Sequence, residues 1–301
     1  MAQHMSWEEA RGILRKLREE QVRDGDLVVN LWEDVLLEAS HKLGNELWNV
    51  YEQVCVAALD CQRLDVADTC IEALNAKFPG SVRVRRLEGM LLEAEGRYEQ
   101  AREVYKAILD KDDANMFARK RLVAILKAQR KIPEAIEKLN EYLKKFMTDY
   151  EGWNELCDMY LSMHDYTNAC FCMEELIMSN PHNHLYHQKY ADIKYTYGGT
   201  DSMEIARTYY AQAVKLCPNN MRALYGLFLS ATNLSMSSGK GAKERSANSK
   251  YAAWAADQIR IKYKVTKENE LHWAQQPEQQ MRETKVLESI EKLLESLQVT
   301  N

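Results

Sequence analysis

The sequence predicts an all-α fold: a right-handed α-solenoid of stacked helix-turn-helix repeats with divergent capping helices. Three observations carry that expectation. Ala67, Ala101, Ala135 and Ala169 stand 34 residues apart, so the chain repeats itself. Pro79, Pro181 and Pro218 each fall twelve residues after a rung of this ladder, counting Ala206 as the fifth rung, and a proline there ends the second helix of a unit. Five prolines and twelve glycines in 301 residues leave little room for long irregular tracts, and the apolar residues recur at helical spacing.

A small residue at one fixed place has a physical reason. Antiparallel helices approach to about 8–10 Å only where the side chains at the crossing are small, and a larger residue pushes the pair apart. The fourth unit reads Trp153, Leu156, Tyr160, Tyr166, Ala169 and Pro181, with Cys157 where glycine is usual and Met173 where an aromatic is usual. The second unit offers Gly89, Gly96, Tyr98, Ala101 and Tyr105. Both copies report one register, that of the tetratricopeptide repeat.

Taken in order, Ser6 and Glu9 form a capping box ahead of Trp7, Ala10, Leu14 and Leu17. Asp24-Gly25-Asp26 breaks that helix, Asp26 is placed to cap a second carrying Leu31, Trp32, Val35, Leu36, Ala39 and Leu43, and Gly44 is its expected stop. Residues 1–44 are therefore a divergent N-terminal capping pair. Residues 45–263 are an array of about six units, the first weak in its leading helix (Tyr51, Val54, Cys55, Ala58). Pro133 lies in the first turn of a helix, where its missing N–H costs nothing. The fifth unit absorbs three extra residues at Tyr197-Gly198-Gly199-Thr200. The sixth opens with Arg222, Leu224, Leu227, Phe228 and Ala231, is interrupted by a flexible loop from Ser235 to Gly241, and resumes near Ser249 with Ala252, Ala253, Ala255 and Ala256 around Trp254.

Residues 264–301 read as a linker, glutamine-rich and carrying Pro277, followed by an amphipathic helix from Glu283 to Gln298. Val286, Leu287, Ile290, Leu293, Leu294 and Leu297 form its stripe, with Glu283, Lys285, Glu288, Glu291, Lys292 and Glu295 among the charges around it. It either seals the end of the array or packs on a partner.

Composition narrows the function. A formal charge of −5 and no polybasic tail argue against non-specific nucleic-acid binding or electrostatic attachment to lipid. The start of the chain has no apolar signal core, and no run of about 18 apolar residues occurs, so no direct membrane span is expected. Seven scattered cysteines are expected to be reduced, buried small hydrophobes in a cytosolic protein.

No catalytic constellation emerges, and no cofactor is expected. His182, His184 and His187 lie near Cys170 and Cys172, but H-x-H-x2-H with C-x-C fits no structural zinc pattern, so polar turn residues and a buried thiol pair are expected there. Gly198-Gly199 has neither a preceding strand nor a following Gly-Lys-Ser/Thr, and is a turn.

One charge pattern points to binding. Arg85 and Arg86 align with Arg119 and Lys120 one repeat on, with Arg83 and Arg121 close by, all at helix starts where the macrodipole disfavours cations. The second, fifth, ninth and twelfth positions of a first helix line the concave face of such repeats, which places Arg83, Arg86, Met90, Lys120 and Lys127 in a groove suited to an acidic peptide or helix. A merely solvated basic face is the alternative. Further along, the same positions bring Asn154, Asp158, Gln188, Asp192, Tyr195 and Tyr225, polar and aromatic groups that give contact area with a hydrogen-bonding tip. The lysine and asparagine that chaperone-tail clamps use at the fifth and ninth positions are missing: those pairs are Glu52/Val56, Arg86/Met90, Lys120/Ala124 and Asn154/Asp158.

Beyond the repeat pattern, SWEEARG, YEQVCVAALD, FPGSVRVRRLEGM, LNEYLKKF, NPHNHLYHQKYADIKYTYGG and RALYGLFLSA make the chain closely resemble the endoplasmic reticulum membrane protein complex subunit 2 family. The resemblance is nearly full length and is weakest from about Ser235 to Gln280. It implies a non-enzymatic scaffold on the cytosolic face of the endoplasmic reticulum, peripheral to the membrane and part of a hetero-oligomer with membrane and soluble subunits of that complex. It also implies a role in inserting tail-anchored and multi-pass proteins. A soluble co-chaperone adaptor that binds peptide tails in the groove shares the fold and is the alternative.

Overall fold

The computed structural model describes residues 5–237, residues 241–271 and residue 292. The C-terminal amphipathic helix expected from Glu283 to Gln298 lies outside the described residues apart from Lys292. Fourteen α-helices and no strand occur among the described residues, as the repeat reading requires. They fall into two compact units, Met1–Tyr142 and Leu143–Asn301.

The first unit opens with α1 (Trp7–Glu19), where the Ser6 hydroxyl accepts from the Glu9 N–H and the Glu9 carboxylate accepts from the Ser6 N–H. Asp24, not Asp26, caps α2 (Gly25–Leu31), accepting from the Leu27 N–H at 3.1 Å. The continuous helix expected as far as Leu43 is not formed. A π turn follows at Trp32–Leu36, then a 3-10 segment at Ser40–Glu46 in which Gly44 takes φ 54°. The wide turn, closed by the Leu37 N–H on the Trp32 carbonyl at 2.8 Å, lets Leu31, Trp32 and Leu36 all reach the core while Leu37 stays outside. Glu46, at the end of this segment, receives Arg11 at 2.6 Å and Arg18 at 2.7 Å, with Arg15 at 3.8 Å. Burial alone would raise the Glu46 pKa, but the Arg11 hydrogen bond and the three guanidinium charges outweigh it and hold the carboxyl below its usual range.

The repeats then run as pairs: α3 (Leu47–Asp60) with α4 (Leu64–Lys77), α5 (Val82–Ala94) with α6 (Tyr98–Leu109), and α7 (Met116–Ala128) before α8 (Ile132–Lys145). The second unit holds α9 (Tyr150–Ser162) with α10 (Tyr166–Ser179) and α11 (His184–Tyr197) with α12 (Thr200–Leu216), then α13 (Met221–Met236) with α14 (Ala242–Leu271). The alanine ladder is as expected: Ala67, Ala101, Ala135, Ala169 and Ala206 are all fully buried. Pro79, Pro181 and Pro218 follow the last residues of α4, α10 and α12.

Two further ladders share the 34-residue step. Asn115, Asp149 and Asn183, and then Asn220, each accept a backbone N–H at the start of a first helix. Between first and second helices the chain turns through a left-handed residue, Gln62 (φ 60°), Gly96 (φ 77°), Arg130 (φ 60°) and His164 (φ 57°). Only one of the four is the glycine that this conformation favours.

The last pair departs from expectation at both ends of α14. That helix starts at Ala242, well before Ser249, and passes Tyr263 to reach Leu271. Nothing between Ala242 and Leu271 is glycine or proline, so no residue there stops a helix. Ala252, Ala255, Ala256 and Ile259 make its close contact with the core, whereas Ala253 and Trp254 face outward. Five cysteines (Cys55, Cys70, Cys157, Cys170, Cys172) are buried free thiols, and Cys61 and Cys217 are half-buried.

Candidate partner-binding site

In the first unit, α3 packs beside α5, so first helices of successive repeats are neighbours. That juxtaposition brings Arg83 and Arg86 of α5 against Glu52 of α3, with Arg86 at 2.8 Å. The Arg86 guanidinium also lies 4.9 Å from the centre of the Phe117 ring on α7. Arg121 of α7 meets Glu93 of α5 through two bonds of 2.9 and 2.7 Å, and the Tyr105 hydroxyl of α6 donates to the same carboxylate at 2.6 Å. Arg119 folds back onto Asp113 ahead of its own helix, and the Lys120 amine lies 5.9 Å from the Tyr142 ring.

The basic ladder is thus largely a set of bonds between repeats. The cost expected of cations at helix starts is offset by carboxylates that the first-helix spacing alone does not reveal. Arg86→Glu would press a carboxylate against Glu52, so that variant alters stability as well as the surface. Met90 is half-buried, and Lys127 is exposed.

Beside these cations the face also leaves aromatic and apolar surface open. Phe117 is 63 % exposed, and with Val82, Arg83 and Arg86 it lines a cleft of about 350 Å³. A smaller cleft of about 170 Å³ sits between Trp48, Phe78 and Arg83, where the Trp48 and Phe78 rings meet edge to face at 5.5 Å. Phe117 occupies the second position of its helix, the same register that selects Lys120 and Lys127. Its ring carries no charge to mark it in a basic pattern.

In the second unit the expected residues are likewise bonded to neighbours on the same and adjacent helices. Asp158 of α9 accepts Lys189 of α11 at 2.7 Å, and the Asn154 amide donates to the Tyr150 carbonyl. Gln188 accepts the Asn220 amide at 2.9 Å, and Asn220 also meets His184. Asp192 is the centre of the group, accepting the Tyr210 hydroxyl of α12 at 2.6 Å and Arg222 of α13 at 2.8 Å. Tyr195 accepts from Asn233, and Tyr225 donates to Tyr263, each at 3.3 Å.

Asp192 here and Glu93 in the first unit therefore play one role: a first-helix carboxylate bonded to the tyrosine of the second helix and the arginine of the next first helix. Burial first, and then the adjacent carboxylate, push the Tyr105 and Tyr210 phenols well above their usual range. Glycine appears where each tyrosine ring crosses a first helix. A Cβ on Gly89 would lie 2.6 Å from the Tyr105 ring, and one on Gly226 would strike the Tyr210 ring.

Of the three clustered histidines, His187 is buried, His184 bonds to Asn220 and His182 is exposed. His187 meets the Pro181 carbonyl at 2.8 Å and stacks on Tyr209, and among the described residues no group of three or more His, Cys, Asp or Glu side chains could hold a metal ion.

The family model described as the EMC2 TPR-like repeat domain matches residues 66–206. ER membrane protein complex subunit 2-A of Xenopus laevis is 43 % identical over 297 residues, covering 98 % of this chain and 96 % of its own. Subunit 2 of the same complex from Dictyostelium discoideum is 31 % identical, over 84 % of this chain and 82 % of its own. Among solved structures, the C-terminal part of a TPR repeat-containing protein from Cytophaga hutchinsonii superposes with a TM-score of 0.55 at 15 % identity, over 85 % of this chain and 95 % of that one, a likeness of fold alone.

Proposed function

The chain belongs to the endoplasmic reticulum membrane protein complex subunit 2 family, and from that premise we propose that it is a non-enzymatic scaffold on the cytosolic face of the endoplasmic reticulum. There it holds the cytosolic parts of membrane subunits of the complex together with soluble ones, in a hetero-oligomer that inserts tail-anchored and multi-pass proteins. The observation that carries this reading is the 43 % identity over nearly the whole of both chains. It is supported by the absence, among the described residues, of a helix long and apolar enough to cross a membrane, and by a net charge of −5 that offers no hold on anionic lipid.

Partner segments lie along the first helices. Arg83, Arg86, Met90, Lys120 and Lys127 border that surface in the first unit, and Asn154, Asp158, Gln188, Asp192, Tyr195 and Tyr225 do so in the second. The ion pairs between repeats keep these surfaces rigid. The exposed Phe117 and the half-exposed Phe78 supply apolar anchors for an extended peptide or helix.

The test is purification of the tagged protein from detergent-solubilised membranes with quantification of stoichiometric partners. A fixed set of multi-spanning subunits is expected, and soluble chaperones alone would overturn the scaffold reading. Phe117→Ala is expected to leave the helical circular-dichroism signal intact and to reduce recovery of at least one membrane subunit. Unchanged recovery would remove Phe117 from the binding face.

A further inference from the structure

A cavity of about 780 Å³ in the second unit lies between α12, α13 and α14. Val214, Leu224 and Leu227 form apolar wall, Tyr251 and Trp254 overhang it, and Lys215 and Lys250 stand at its rim. Trp254 is 46 % exposed and Tyr251 49 %, an unusual outlay of aromatic surface for a helix whose other side closes the core. Neither lysine forms an ion pair among the described residues.

We propose that this groove is the docking site of the chain's own segment 283–298. The sequence supplies the matching chemistry. Val286, Leu287, Ile290, Leu293, Leu294 and Leu297 recur at helical spacing and need an apolar surface to cover them. Glu291 follows Leu287 by four residues and precedes Leu294 by three, so it borders that stripe where the rim lysines wait, with Glu288 and Glu295 beyond it. A segment with four glutamates and two lysines among its charges suits a groove edged by two lysines.

The chain also reaches. From Gln258 on the groove wall to Leu271 at the end of α14 is a run of about 20 Å at ~1.5 Å per helical residue. Residues 272–282 can span about 35–40 Å when extended at ~3.3–3.6 Å each. Pro277, inside that stretch, is a residue that breaks straight helices, which favours a return over a continuation. Docking in cis also draws on a high effective concentration that no partner in solution matches.

The experiment replaces Trp254 by the photo-cross-linking residue benzoylphenylalanine in the full chain and maps the products by mass spectrometry. A cross-link within one molecule to a peptide between residues 283 and 298 is expected. A link to a second copy, a link to another protein, or no link to that peptide overturns the proposal. Ile290→Asp with Leu294→Asp lies outside the repeats, so it leaves them folded, and it should lower the cross-link yield by about tenfold or more as two apolar side chains lose their cover. In the same variant, without the cross-linker, hydrogen exchange should quicken at residues 211–218 and 247–258 and stay unchanged at α9 and α10. Lys250→Glu should weaken the cross-link, and adding Glu291→Lys should restore it; failure of that rescue would leave charge with no part in the docking.

Discussion

Glu93 and Asp192 hold the same kind of clamp at different depths. Each joins three helices through a tyrosine hydroxyl and an arginine, yet the Glu93 side chain is 11 % exposed with Arg121 at 35 %, whereas Asp192 is 24 % exposed with Arg222 at 72 %. A charge-assisted bond gains most where water is excluded, and the group left behind suffers most there. Geometry alone would rate the two clamps equal, and burial separates them. What recurs along the chain is a wiring plan, and what varies is how much stability each copy contributes.

The sharpest way to break the comparison is to remove both carboxylates in turn. Glu93→Ala strands a half-buried guanidinium and a buried phenol and should cost about 3 kcal/mol in urea unfolding. Asp192→Ala leaves Arg222 free to hydrate and should cost about 1–2 kcal/mol. Equal losses would mean that burial does not set the difference. Next in size come the ring crossings. Gly89→Ala and Gly226→Ala both drive a Cβ into tyrosine and should each lower stability by about 1–3 kcal/mol, readable as a lower Tm.

The phenols sharpen the comparison through pH. Folding raises both pKa values above the unfolded value, so their stabilisation is intact below about pH 10 and is lost as pH rises past it, because the unfolded chain ionises first. Tyr105→Phe and Tyr210→Phe should each blunt that alkaline loss, measured as urea midpoint against pH between about 9 and 11. The smallest expected effect lies at the turns. Arg130→Gly in one unit and His164→Gly in the other relieve a left-handed residue and should each gain about 1 kcal/mol, while Gly96→Ala should lose a similar amount.

How much of this was legible follows from where the signals lie. The alanine ladder, the prolines and the Ser6 capping box are local or strictly periodic, and each appears where its spacing puts it. The left-handed turns at Gln62, Arg130 and His164 were readable in principle, through their 34-residue step from Gly96, but their residue types hide them. The π turn at Trp32 was not readable, because it answers to a core that the helical period cannot count. For Arg83, Arg86 and Arg121, the register alone could not name the carboxylates that they meet across repeats. Arg86 looks outward on a helical wheel, and only the packing of α3 beside α5 puts Glu52 beneath it. Phe117 stands in the same register, but an uncharged ring leaves no trace in a charge pattern.

Glu46 has a mechanical meaning apart from its share in stability. Arg11, Arg15 and Arg18 lie along one face of α1, and all three point to that single carboxylate, with Arg18 steadied further by Gln53. Tension applied to α1 from its N-terminal end would load these three contacts together rather than peel them one after another. They hold in parallel and let go in concert, as a rivet does.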